Sequence, residues 1–128
     1  MPRLLLGFFG IAHLAFGIAG LMFPRWFYAA LPPWPPLHIG QLQIAGVFDV
    51  SLAILFLGGA RDPRRYLPVV APTGAAAELG HAAVRIGHIV AGDNSPADFV
   101  GPSAMLAFGV YLIVLTIRRA FDATEQLV

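Results

Sequence analysis

The chain has 128 residues, enough for one domain, yet it is 58% hydrophobic and only 12% charged, with a mean hydropathy of +0.75. A soluble domain carries about twice that share of charged residues, so this composition leaves too little polar surface for a water-facing globule and points to a membrane protein. A net charge of +1 offers no field for nucleic acid, and the absence of cysteine excludes disulfides, thiolate metal sites, iron–sulfur clusters and cysteine nucleophiles.

Four apolar segments follow in chain order, at residues 4–23, 39–57, 67–91 and 100–117. Each is close to the roughly 20 residues a helix needs to cross about 30 Å of hydrocarbon. Backbone groups in lipid must bond internally, so all four are expected as helices. The third is the least hydrophobic. The connection 24–38, "PRWFYAALPPWPPLH", holds five prolines, Trp26, Trp34 and Tyr28, and reads as a helix-breaking loop with an interfacial aromatic belt. "GGARDPRRY" (58–66) is a basic turn and "GDNSPADF" (92–99) an acidic one. The tail after residue 117 is polar and reads as a short amphipathic or frayed end.

Arginine placement sets the orientation. Arg3, Arg61, Arg64, Arg65, Arg118 and Arg119 fall on one side of a four-pass arrangement, and Arg25, Asp93 and Asp98 on the other. Basic residues concentrate on the cytoplasmic side, so both termini are expected there. The fold class that follows is all-α: a single membrane domain over 1–128, an up-down-up-down four-helix bundle.

The third segment carries "ELGHAAVRIGH" (78–88). At about 100° per residue, Glu78, His81, Arg85 and His88 share one helix face about 80° wide. Leu79, Ile86 and Val90 are expected to face lipid. Ala76, Gly80, Ala83 and Gly87 form a small-residue ridge that lets a neighbouring helix approach. Ionisable groups inside a membrane are costly and mark sites. His13 and Asp49 stand near the middle of the first and second segments. Arg85 is within reach of Glu78 or His81 on its own helix, and of Asp49 in the expected bundle.

Two carboxylates at unequal distances from a guanidinium are driven apart in proton affinity, the arrangement that divides general acid from general base. The expected catalytic set is Glu78, Asp49, His81 and Arg85. His88, His13, His38, Trp34 and Tyr111 are the expected ligand-binding set. The function these residues suggest is binding of a hydrophobic small molecule, with acid–base isomerase, cyclase or epoxide-opening chemistry on an isoprenoid- or lipid-like substrate. Two alternatives stay open. One is a haem- or metal-binding redox protein, in which His13 and His81 would be ligands from two helices. The other is a non-catalytic accessory or assembly subunit, in which the stripe only fixes helix register. No cofactor and no metal ligand set is otherwise expected. Partners are membrane lipids, the hydrophobic ligand and a second copy of the chain, with no nucleic acid.

"GIAHLAFGIAGLMFPRWFYAALP" (10–32), with its FPxxFY-type helix exit, followed by "GVFDVSLAI" (46–54), resembles the small four-helix DoxX-like bacterial membrane proteins. The resemblance covers the first half of the chain. It implies a four-helix fold in a bacterial cytoplasmic membrane and carries no site residue. A looser likeness, of site chemistry alone, is to membrane sterol isomerases, where acidic residues and histidines line a lipophilic pocket.

Overall fold

A computed structural model describes residues 2–30, 37–91 and 99–125, with side chains placed as far as Arg119. Among these residues the regular structure is helical throughout: α1 (Pro2–Met22), α2 (Pro24–Ala30), α3 (Ile39–Arg61), α4 (Pro63–Val90) and α5 (Val100–Glu125). Each of the four apolar segments becomes a long helix. α3 and α5 start where expected, at residues 39 and 100; other starts differ because proline is tolerated at the first helical position, where its missing N–H would be unbonded anyway. Pro63 therefore opens α4 four residues ahead of the apolar run, and Pro24 opens a short helix, α2, within the expected loop. The Phe27 ring of α2 stands 5.8 Å from that of Phe16 on α1. The tail continues as helix to Glu125.

Residues 2–22, 39–61 and 100–119 form three helices long and apolar enough to cross a membrane. At 28 residues, or about 42 Å, α4 has the length, but its polar stripe lowers its apolar content. The outward side chains of the apolar helices are large and hydrophobic: Phe8 and Ile11 on α1, Ile44 and Ile54 on α3, Val100 and Val110 on α5 are all exposed. A surface of this kind is stable against hydrocarbon and costly against water.

The chain resolves into two compact units, Met1–Pro63 and Arg64–Val128. In the first, α1 packs on α3 through a glycine seam. The buried residues of α1 are Leu6, Gly10, His13, Gly17 and Gly20, spaced alternately by four and three, one helix face. A Cβ on Gly17 would stand 2.8 Å from the Val50 backbone nitrogen and 2.9 Å from the Gly46 carbonyl oxygen, and one on Gly46 would stand 2.9 Å from the Gly17 carbonyl oxygen. Without hydrophobic driving force between helices in lipid, such backbone proximity is what holds them. Facing this seam, α3 buries Gly46, Leu52, Ala53, Phe56 and Gly59.

In the second unit, α4 buries Leu67, Val70, Ala71, Gly74, Ala75, Glu78 and Ala82. Here Leu79 packs on α5: a Cβ on Gly109 would meet the Leu79 side chain at 2.8 Å. This corrects two expectations for α4. Leu79 is half-buried, with its side chain against Gly109 of α5 rather than turned fully outward. The ridge of Ala76, Gly80, Ala83 and Gly87 is exposed, and nothing lies within 4 Å of a Cβ at Gly80 or Gly87. Helical arithmetic fixes which residues share a face; it does not say which of two apolar faces a neighbour takes.

Candidate functional site

The glycine seam of the first unit contains one histidine and one carboxylate. His13 lies between Gly10 and Gly17 on α1, one residue past the helix midpoint; Asp49 lies between Gly46 and Ala53 on α3, one residue before its midpoint. Because glycine brings the two backbones together there, two short side chains suffice to meet. His13 Nδ1 and Asp49 Oδ1 are 2.7 Å apart. The imidazole is 6% exposed and Asp49 is half-buried, so the bond is sheltered from competing solvent. The Phe56 ring, 5.6 Å away and tilted by 49°, covers the histidine.

A short imidazole–carboxylate bond in apolar surroundings has a definite chemical capacity. With the carboxylate ionised, Nδ1 carries a proton and donates it, and the ring's orientation and tautomer are fixed. Nε2 is then the nitrogen that accepts or returns a proton. The carboxylate also stabilises the imidazolium formed on the way, which is the role of the orienting group in acid–base pairs generally.

Four ionisable side chains share one face of α4 in the second unit. Glu78 is 0% exposed and belongs to the core; His81, Arg85 and His88 follow on the same face, each partly buried. Oε2 of Glu78 and Nδ1 of His81 are both buried atoms. The backbone of α5 approaches Glu78 closely, since a Cβ on Gly109 would lie 3.4 Å from the Glu78 Cβ. On α5, Tyr111 is half-buried and stacks on Phe108 with ring centroids 6.3 Å apart.

Compared with protein-family models, curated proteins and solved structures, the chain finds no match.

Of the expected catalytic residues, Asp49 is paired with His13, a member of the expected ligand-binding set. The sequence marks the close approach rather than the pairing: Gly10, Gly17 and Gly20 share the face of His13, and Gly46 stands about one turn before Asp49. Glu78, His81 and Arg85 share the face of α4 that helical arithmetic assigns them. His38 serves its own helix as the N-cap of α3, where its Nδ1 accepts the Gln41 backbone N–H at 3.1 Å. Trp34 lies outside the described residues, as do Asp93 and Asp98. Among the described residues no group of three His, Cys, Asp or Glu is placed to hold a metal ion.

Proposed function

We propose that this chain is a four-pass membrane protein, with both termini cytoplasmic, that binds a hydrophobic small molecule and acts on it by acid–base chemistry. In this reading α4 is the fourth crossing helix, its polar stripe turned away from lipid. The His13–Asp49 bond carries the reading. A protonatable dyad at the midpoints of two apolar helices is where a lipophilic molecule would meet a proton donor and acceptor without water. Asp49 orients the ring and His13 moves the proton. The resemblance to DoxX-like membrane proteins supports the same membrane setting, the bacterial cytoplasmic membrane, and adds nothing on chemistry.

The test begins with protein purified in mild detergent, extracted with organic solvent and analysed by mass spectrometry. A hydrophobic molecule in near-stoichiometric amount is expected with the wild type. It should be depleted at least fivefold from His13→Phe protein whose helical circular dichroism is unchanged. Equal recovery from both proteins would sink the binding role of the dyad.

A second reading is favoured by the same seam. A buried ion pair between two closely packed helices fixes their register without chemistry, as an accessory or assembly subunit would need. There, His13→Phe lowers thermal stability in detergent and removes no bound molecule.

A further inference from the structure

His38 closes the start of α3 with a ring nitrogen, where the favoured caps use a side-chain oxygen. Its backbone is extended, with φ −118° and ψ 97°, and its Nδ1 accepts the Gln41 amide N–H at 3.1 Å. Its carbonyl accepts from the Leu42 amide at 3.1 Å, the first helical bond. Gly40 leaves room for the ring: a Cβ there would stand 3.5 Å from Cε1 and 3.7 Å from Nδ1. The side chain is exposed, so protons reach it directly from water.

A cap of this kind works in one protonation state only. Nδ1 accepts a hydrogen bond while it carries no proton, so the neutral ring holds its proton on Nε2. A second proton has only Nδ1 to go to, and there it displaces the Gln41 N–H. Capping and protonation therefore exclude each other. An imidazolium would also stand against the unbonded amides of the helix start, whose dipoles oppose a cation. Both effects have one sign: the cap holds at higher pH and is lost as pH falls.

Within the first unit, α1 and α2 pack against α3. The last six residues of α1, "GIAGLM" (17–22), hold no ionisable side chain, and α3 has none before Asp49. Residues 31–37 hold none either. Arg25 and Tyr28 are those of α2, and arginine and tyrosine titrate far above the histidine range. The turn that His38 caps forms one end of the glycine seam. A Cβ on Gly20 of α1 would stand 3.4 Å from the Leu42 carbonyl oxygen, and Gln43 Nε2 donates to the Leu21 carbonyl at 3.4 Å.

We propose that His38 is a pH-sensitive cap: its protonation frees the Gln41 amide and loosens the first turn of α3, and with it the Gln43–Leu21 bond that joins α3 to the end of α1. Asp49 stands eleven residues on, roughly 16 Å along the axis, so the dyad lies outside the loosened turn. In the four-pass reading this end of α3 faces the outside, where pH follows the surroundings. Only that placement rests on the reading; the switch depends neither on it nor on the chemistry of the dyad.

Amide exchange of the full chain in detergent micelles tests this, measured by NMR at pH 8 and pH 5 and corrected for the intrinsic exchange rate at each. The two values bracket the ordinary range of histidine. In the wild type, protection of Gln41 and Leu42 is expected to fall roughly fivefold from pH 8 to pH 5, the worth of one cap. His38→Asn caps through an oxygen that takes no proton in this range, and should hold the same protection at both. His38→Ala should show the low value at both. Wild-type protection that is equal at pH 8 and pH 5 would overturn the proposal. So would a His38→Asn variant that loses as much as the wild type, since the titrating group would then lie elsewhere.

Discussion

Asp49 anchors the imidazole of His13. His13 Nδ1 and Asp49 Oδ1 stand 2.7 Å apart in a seam of glycine and phenylalanine. Asp49→Leu removes that acceptor from a buried imidazole and should cost about 1–3 kcal/mol, read as a lowered unfolding midpoint in detergent. Asp49→Asn keeps an acceptor oxygen in the same place and should cost markedly less; equal losses for the two variants would mean the hydrogen bond contributes little. His38 is different in kind. As an exposed N-cap it satisfies one of the amides at the start of α3. His38→Ala should cost about 1 kcal/mol and raise amide exchange near residues 39–42, with no change around Asp49. At this scale the sequence was half legible. Helical spacing alone puts Glu78, His81, Arg85 and His88 on one face. It does not reveal that His13 and Asp49 touch, because that contact depends on how near α1 and α3 approach.

That approach is decided by the helices as elements. Gly17 and Gly46 sit where each backbone fills the space a side chain on the other would need. Gly17→Ala must force α1 and α3 apart at the level of the dyad, with an expected cost of about 1–3 kcal/mol. Gly80→Ala meets nothing within 4 Å and should be neutral or gain up to about 1 kcal/mol from helix propensity. Comparing the two variants by thermal unfolding in detergent checks the seam directly; equal effects would contradict it. A reading of the sequence that favours the longest small-residue ridge selects α4, since Ala76, Gly80, Ala83 and Gly87 run over three turns. The structure uses the glycines around His13 instead. The difference is physical: small residues permit close packing, and a neighbouring helix is also required. Helix identity was legible from apolar length. The starts of α3 and α5 were legible too; those of α2 and α4 were not, because prolines that look like breakers stand at their first positions.

For the whole molecule, the composition, the apolar outer surfaces and three helices of spanning length all belong to a chain in a bilayer. The four-pass proposal adds α4, whose stripe makes it the least apolar of the long helices. The chain lacks cysteine, so any single introduced cysteine reports alone. Cysteines at Leu37 and Ala91 should react with a membrane-impermeant maleimide from outside, and one at Asp62 should react only after the membrane is opened. If cysteines at Asp62 and Ala91 label from the same side, α4 does not cross and the four-pass arrangement fails.

Proton transfer on a bound hydrophobic molecule is the role proposed for the His13–Asp49 pair. Its most direct measurement is deuterium incorporation at carbon in the extracted molecule after the purified protein is incubated in D2O. Incorporation is expected with the wild type, at a rate at least tenfold slower with Asp49→Asn. A molecule that gains no carbon-bound deuterium, or gains it equally with both proteins, would leave the pair as a bond between two helices and contradict the claim.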